Sequence, residues 1–348
     1  MTGLLRPVWM RRQLSGPWRW SGAGWQWWLA GPDGRQPARC LDDYLHHDDS
    51  SAVVQLRAKQ SRPRWCYRID DLSGPEQHWF AKRMVLSRRQ RPGALLGLSH
   101  RWVGLAHGSA EFHHALMLSQ RTSLGVTMLA LGERLESGMP AEQALISEWL
   151  GEWTTFGHAL ASSPGARRVA LMSALMEALR QLYNAGICHM DLHPGNLLAP
   201  RARPGENDRP LQLKVIDCAR VSLKAAPDAA TAIHLGVLIH ELNGKRDGLD
   251  PVLEQAAGHL LRAIVGHPGP AVERLLSLVL RYSTKKPFSR HSLIARSPER
   301  LPLDRIEREL REMIARRPPQ TIEPVMAGPE LAALIETALD QAADIPMR

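Results

Sequence analysis

Two nearby segments decide the fold: LRQLYNAGICHMDLHPGNLLAP over residues 179–200, and LQLKVIDCAR over 211–220 after a turn-rich gap. Apolar residues recur at three- and four-residue steps over 170–184, which predicts a helix that ends at Gly186. The apolar runs at 197–198 and 213–216 predict two short buried strands. The chain here is therefore expected to form a helix, a polar loop and two strands.

The polar loop carries side chains suited to chemistry. It reads HMDLHPGN over 189–196, and the second predicted strand delivers Asp217 at its end. Phosphoryl transfer from a magnesium nucleotide needs a carboxylate that accepts the proton of the attacking hydroxyl and hard oxygen ligands for Mg²⁺. We expect Asp191, Asn196 and Asp217 to converge, and their similarity in order to a kinase catalytic loop implies Asp191 as the base and the other two as metal ligands. The alternative is that a loop rich in His, Asp and Asn only makes turns and caps.

The order and spacing of these residues resemble the catalytic core of the protein-kinase-like superfamily. The form His-x-Asp-Leu-His-x-x-Asn is more similar to the sugar and small-molecule branches than to protein kinases. The resemblance implies an α+β, two-lobed protein-kinase-like fold with a small β-rich N-lobe and a larger helical C-lobe. We expect a Trp/Arg-rich N-terminal extension over 1–39, the N-lobe over 40–150 and the C-lobe over 151–348.

The composition is that of an ordinary globular protein. The 348 residues, 44% of them hydrophobic and 23% charged, suffice for one large two-lobed unit or two domains. The four cysteines have no CxxC spacing, so neither a zinc ribbon nor a disulfide framework is predicted. The formal net charge of +9 points to an anionic partner, which could be nucleic acid, a membrane surface or a phosphorylated substrate.

The first 39 residues are rich in tryptophan and arginine. They hold six of the eleven tryptophans, and no acidic residue occurs before Asp33. Tryptophan and arginine together suit a membrane interface, where amphipathic side chains bury their apolar parts and keep their polar ends in water. The alternative is an extension that packs its aromatic side chains on the first lobe. The sequence leaves both interpretations open.

The expected N-lobe supplies two further site residues. Strands are predicted at 52–56, 65–69 and 78–85, and the third carries Lys82 after an aromatic-Phe-Ala run. Lys82 is similar to the lysine that holds the α- and β-phosphates of the nucleotide in kinase folds. The next predicted helix, 109–120, has Glu111 near its start, and we expect this residue to pair with Lys82. A glutamate in a first helical turn would also complement the helix dipole without any such pairing.

One part of a typical kinase is missing. The turn between the first two predicted strands contains no glycine, although a glycine-rich loop would let backbone amides approach phosphates closely. Basic side chains are expected to cover the phosphates instead. Basic residues also cluster over 57–68, 82–101 and 281–300, which is consistent with a positively charged groove for the acceptor.

The remaining chain is predicted from its periodicity. Strands are expected at 127–131 and 144–148, joined by residues 132–140, and residues 147–151 are expected to link the lobes. The C-lobe is expected to be mostly helical, at 229–242, 252–265, 271–282, 303–315 and 329–342. His234 and His240 are interpreted as packing or surface residues, because six residues do not place two imidazoles on one helix face.

Four segments together carry a more specific resemblance. They are similar to the bacterial lipopolysaccharide core kinases of the Kdo/heptose kinase family over about residues 50–240: WFAK at 79–82, SAEF at 109–112, CHMDLHPGN at 188–196 and VIDCAR at 215–220. The resemblance implies ATP and Mg²⁺ as cofactors and phosphorylation of a Kdo or heptose hydroxyl of the inner core. It also implies a cytoplasmic location, peripheral on the inner face of the inner membrane, with a lipid A-linked oligosaccharide and an anionic membrane surface as partners. No nucleic acid partner is expected.

Two other functions remain as alternatives. A soluble small-molecule kinase of the aminoglycoside/choline kinase type shares the loop motif, but its cationic acceptors would favour an acidic pocket, and this chain is basic. A catalytically silent kinase-like binding protein is the second alternative. The joint presence of Lys82, Glu111, Asp191, Asn196 and Asp217 speaks against it.

Overall fold

The structure is a computed structural model of the chain. It describes residues 6–20, 24–47, 51–59, 63–71, 77–98, 107–202, 211–223, 227–242 and 251–282. The predicted helices at 303–315 and 329–342 lie outside the described residues, and so does almost all of the basic run at 281–300.

The chain divides into two compact units. The first comprises Met1–Gln120, Gly125–Gly151 and Asp217–Arg220, and the second comprises Arg121–Leu124, Glu152–Ile216 and the chain from Val221 onward. Strands dominate the first unit and helices the second, so the predicted α+β fold class is confirmed.

The first unit contains an antiparallel seven-stranded sheet in the order β1-β2-β6-β7-β5-β4-β3. Its strands are β1 (Ser15–Trp18), β2 (Trp25–Leu29), β3 (Val53–Lys59), β4 (Arg64–Asp70), β5 (His78–Val85), β6 (Met128–Glu136) and β7 (Met139–Glu148). Its helices are α1 (Val8–Gln13), α2 (Arg35–His47), α3 (Arg91–Leu96) and α4 (Gly108–Arg121).

Alternation of side chains gives this sheet two different faces. On β4 and β5, Tyr67, Ile69, Trp79 and Ala81 are buried in the main hydrophobic cluster, which also includes Leu41 of α2. Successive side chains of a strand point to opposite faces. The face that carries Lys82 is therefore the one opposite to α2, and Glu111 of α4 reaches it.

The tryptophan-rich start is part of this unit. Strands β1 and β2 extend the sheet, and Trp25, Trp27 and Trp28 are buried. The indole of Trp27 donates a 2.9 Å hydrogen bond to the carboxylate of Asp42, and its ring occupies space that a side chain at Gly132 would fill. Trp18, in contrast, is 40% exposed. The buried tryptophans therefore pack within the first unit.

One predicted connection is instead a hairpin. Residues 132–140 were expected to join two short strands, but β6 continues to Glu136 and β7 begins at Met139. Ser137 and Gly138 between them have φ angles of 50° and 78°. Two central residues with positive φ are typical of the tight type I′ turn, whose twist matches that of the flanking strands.

The second unit consists mainly of helices with short strands between them. Its helices are α5 (Phe156–Ser162), α6 (Gly165–Ala185), α7 (Pro227–Leu242), α8 (Pro251–Val265) and α9 (Pro270–Tyr282). Its strands are β8 (Trp153–Thr155), β9 (Cys188–His189), β10 (Leu197–Pro200), β11 (Lys214–Val215) and β12 (Val221–Ser222). Strand β10 pairs antiparallel with both β8 and β11, and β9 pairs with β12.

The predicted helix at 170–184 is confirmed and begins five residues earlier. It ends where predicted, since Gly186 adopts the left-handed conformation with a φ of 63°. Helix α7 packs against α6, α8 and α9, and its residues 229–240 are all buried. No helix among the described residues is long and apolar enough to cross a bilayer.

Candidate active site

The structure brings Lys82 and Glu111 together within the first unit. Lys82 lies on β5 opposite Cys66 of β4 and Leu145 of β7, so strands on both sides of β5 hold its backbone in place. Its Nζ donates to both carboxylate oxygens of Glu111, at 2.8 Å each. The two side chains are only 15% and 12% exposed. A lysine on a strand commonly projects into water, whereas this one is held in a defined place.

Asp217 completes this cluster. Lys82 Nζ also donates a 3.1 Å hydrogen bond to Asp217 Oδ1. The Asp217 side chain is 41% exposed, so it is the accessible carboxylate of the pair that surrounds the lysine. We refer to Lys82, Glu111 and Asp217 as the ion cluster.

The backbone of Asp217 is unusual. Its φ is 56°, in the left-handed region that residues other than glycine, asparagine and aspartate rarely adopt. A turn of 3-10 helix, Cys218–Arg220, follows directly, and His114 of α4 shares a 2.9 Å hydrogen bond with the carbonyl of Cys218. Such conformations concentrate at functional sites, because the surrounding structure has to hold them in place.

The charges of the ion cluster set the protonation of Lys82. Burial alone would lower the pKa of this lysine, but the carboxylates of Glu111 and Asp217 outweigh that effect and hold its pKa above the ordinary value. Lys82 is therefore a permanent cation at physiological pH. It can supply fixed positive charge to an anionic ligand.

Helix α4, which carries Glu111, is positioned by a buried polar chain. The backbone N–H of Ser109 donates to the side-chain oxygen of Gln143, whose amide nitrogen donates to Glu133. Arg6 forms a 2.6 Å salt bridge with the same glutamate, and both side chains are almost completely buried. The ring of Trp9 stacks on His113 of α4 at 4.4 Å between centroids. The N-terminal segment thus helps to hold the helix that supplies Glu111.

The second unit contains the loop with Asp191 and Asn196. The backbone N–H of Asp191 donates to Nδ1 of His189 at 3.2 Å, which leaves Nε2 as the ring donor to the carbonyl of Ile216 at 3.1 Å. The amide nitrogen of Asn196 donates to the carbonyl of Asp191 at 2.9 Å. These bonds fix the loop backbone on both sides of the Asp191 side chain.

The contact of His234 with the loop was not predicted from the sequence. His234 lies on α7, is fully buried, and its Nε2 accepts a 2.9 Å hydrogen bond from the backbone N–H of His189. Burial, together with the nearby His189, lowers the pKa of His234 to about 3, so the ring is neutral and able to accept. It is a packing residue, as expected, but one that fixes the loop. The available signal was a polar side chain within an otherwise apolar helix.

Two side chains, one in each unit, offer oxygen atoms of the kind that Mg²⁺ takes. Magnesium takes one or two protein oxygens and completes its shell with water and phosphate oxygens. Asp217 offers an accessible carboxylate, and Asn196 retains its side-chain oxygen because its nitrogen is bonded to Asp191. Among the residues described, no cluster of three or more His, Cys, Asp or Glu side chains could hold a metal.

Comparison with known proteins gives a limited result. No protein-family model and no curated protein sequence matches this chain. Among solved structures, the chain is similar to one described as "WaaP in complex with acyl carrier protein", with 19% sequence identity and a TM-score of 0.41. The similarity covers 74% of this chain and 88% of that one. At this identity and TM-score it assigns neither a family nor an activity to the chain.

Proposed function

We propose that the protein is an ATP- and Mg²⁺-dependent phosphotransferase with an alcohol group as acceptor. The observation that carries the proposal is the ion cluster: a largely buried lysine between two carboxylates, one of them accessible and held in a left-handed backbone conformation. A buried ion pair contributes little to stability compared with apolar packing, so a functional explanation is preferred. Perturbed ionisable groups of this kind concentrate at active sites.

Each site residue has a proposed role. Lys82 binds the phosphates of ATP, and Glu111 positions Lys82. Asp217 and Asn196 hold Mg²⁺, which offsets the negative charge of the phosphates when bound. Asp191 accepts the proton of the acceptor hydroxyl, and the hydroxyl oxygen forms a bond to the γ-phosphorus. The bond between the γ-phosphorus and the bridging β-phosphate oxygen breaks at the same time, so that ADP leaves.

A sugar hydroxyl of the lipopolysaccharide inner core, on Kdo or heptose, is the proposed acceptor. Support comes from the motif resemblance and from the basic bias of the chain, since an anionic lipid-linked acceptor has to approach ATP without repulsion. The aminoglycoside/choline type of kinase is the second candidate. A catalytically silent binding protein is the third, and the intact ion cluster argues against it.

The acceptor is tested by offering labelled ATP with different substrates. The purified protein receives γ-labelled ATP with Kdo- or heptose-containing core, and separately with an aminoglycoside, choline and a generic protein. We expect label in the core sugar alone. Label in an aminoglycoside, choline or protein, with none in the core, would move the assignment to another class of kinase.

Peripheral binding to an anionic membrane is a further part of the proposal. Trp18 is 40% exposed, and Arg11, Arg12 and Arg19 are exposed near it in the sequence. A basic residue near an anionic bilayer contributes about 1 kcal/mol, so replacing the three arginines by alanine is expected to weaken vesicle binding by on the order of a hundredfold. Trp18→Ala is expected to weaken binding as well.

Sedimentation with anionic vesicles at increasing salt measures this binding. The attraction is screened over about 10 Å at 0.1 M salt, so binding should fall as salt rises, and uncharged vesicles serve as the control. Deletion of residues 1–30 is unsuitable, because it would remove two strands and the buried Trp27. The proposal would be contradicted if vesicle binding changed neither with the salt concentration nor with the arginine substitutions.

A further inference from the structure

The hairpin of β3 and β4 raises the question of what replaces a glycine-rich loop. Residues 52–72 contain no glycine, so the chain has no such loop between these strands. The described part of the hairpin instead carries Arg57 on β3 and Arg64 on β4. Neither residue is a member of the ion cluster, which consists of Lys82, Glu111 and Asp217.

Strand register places both arginines on the face of Lys82. Arg57 is opposite Cys66, and Cys66 is opposite Lys82, so the three form one row across three strands. Arg64 precedes Cys66 by two residues and therefore points to the same face. Diagonal neighbours on adjacent strands are about 7–8 Å apart, which long side chains can span. The other face of β4 is occupied by the hydrophobic core.

The electrostatics agree with this placement. Burial raises the pKa of the Cys66 thiol, while the positive charges of Lys82, Arg57 and Arg64 act in the opposite direction. The charge of Arg64 also acts on Lys82 and on Glu111. Both guanidinium groups therefore lie within electrostatic reach of the residues around the ion cluster.

Arg57 and Arg64 differ from neighbouring arginines in their partners. Arg68 is bonded to Asp70 at 2.8 Å, and Arg83 to Glu142 at 2.6 Å. Within the part of the chain that the structure describes, neither Arg57 nor Arg64 has a carboxylate within ion-pair distance. Lys82 already forms ion pairs with two carboxylates, whereas Arg57 and Arg64 form none within the described residues.

We propose that Arg57 and Arg64 bind the β- and γ-phosphate oxygens of the nucleotide, in place of the backbone amides of a glycine-rich loop. This inference rests on the proposed function. The planar guanidinium group matches phosphate with two parallel hydrogen bonds, and such charge-assisted bonds are about twice as strong as neutral ones. Side chains on paired strands can thus perform a task that otherwise needs close approach of the backbone.

Calorimetric titration with nucleotides of different phosphate number tests the proposal. Wild type, Arg57→Ala, Arg64→Ala and the control Arg68→Ala are titrated with Mg-ATP, Mg-ADP and AMP. Arg68 lies on the same strand and face as Arg64 but is already paired with Asp70. We expect affinity for Mg-ATP to fall about tenfold to a hundredfold in each test variant, with a smaller loss for Mg-ADP and none for AMP. The control should match wild type.

Two further measurements keep the test decisive. Tripolyphosphate should compete with Mg-ATP on wild type and compete less well on Arg64→Ala. Arg64→Lys, which keeps the charge but loses the two-pronged geometry, should recover part of the lost affinity, and it replaces Arg64→Ala if that variant fails to fold. Unfolding temperatures identify folding failures.

The outcomes separate this inference from the proposed function. If wild type binds no nucleotide, the proposed function itself is wrong. If wild type binds Mg-ATP and the two alanine variants bind it equally well, the function stands and the inference is overturned. An equal loss of affinity for AMP and for Mg-ATP would also overturn the inference. AMP has no β- or γ-phosphate, so the loss of contacts to those groups cannot weaken its binding.

Discussion

Replacing Asp191 by alanine is expected to lower the turnover of phosphoryl transfer by about 10²–10⁴-fold, the usual contribution of a general base. The melting temperature should change by only a few degrees. The bonds that hold the loop use the backbone of Asp191 and the side chains of His189 and Asn196, so the substitution leaves them in place. Steady-state assays of ADP release with the core acceptor measure the effect.

Nucleotide binding separates a catalytic role of Asp191 from a structural one. A base acts on the acceptor, so Asp191→Ala should bind Mg-ATP with nearly wild-type affinity. Glu177→Ala, which removes an exposed carboxylate from α6 of the same unit, is the matched control and should keep full activity. Turnover near the wild-type value in Asp191→Ala would exclude this residue as the base.

The sequence was sufficient for the elements whose local pattern and burial agree. Strand β5 alternates between core and site faces, and its predicted bounds, 78–85, are the observed ones. The helix that ends at Gly186 was equally clear, because apolar spacing and a glycine stop indicate the same boundary. In both cases the pattern within one short segment is sufficient to predict where the element begins or ends.

Features that depend on distant residues were not predictable in this way. The burial of the tryptophans depends on the pairing of β2 with β6. This pairing could not be predicted from residues 15–29, because β6 lies about a hundred residues later in the chain. Ser137 and Gly138 form a tight turn within a polar stretch that lacks the Asn-Gly or Asp-Gly signal. His234 fixes the loop through a contact 45 residues away in sequence.

The candidate site also has features that were predictable from the sequence and features that were not. The resemblance to kinase folds proposed Lys82, Glu111 and Asp217, and the structure adds their distances, their burial and the left-handed backbone of Asp217. The missing glycine-rich loop was evident from the sequence. The sequence predicted basic side chains in its place, and strand register identifies the candidates, because Arg57 and Lys82 are neighbours across two strand pairings.

Lys82→Met is expected to change both binding and stability, for reasons that can be separated. The substitution removes the positive charge but leaves Glu111 buried without its partner, and an uncompensated buried charge destabilises a fold by about 3–5 kcal/mol. Lys82→Met with Glu111→Gln removes that penalty. The double variant should therefore regain stability while Mg-ATP affinity stays low, since the phosphates still lack the lysine.

Asp217→Asn is expected to weaken Mg-ATP binding by about tenfold or more and to lower turnover by about 10²–10³-fold, as removal of a preorganised charge-stabilising group does. Asparagine is the suitable replacement because it tolerates the left-handed backbone at this position, whereas alanine would add strain. The variant should therefore fold normally. Titration with ATP in the presence and absence of Mg²⁺ measures the role of the carboxylate: the loss should appear with the metal and largely disappear without it. If Asp217→Asn and the double variant at Lys82 and Glu111 both bound Mg-ATP as tightly as wild type, the ion cluster would not be a nucleotide site, and the catalytic proposal built on it would fail.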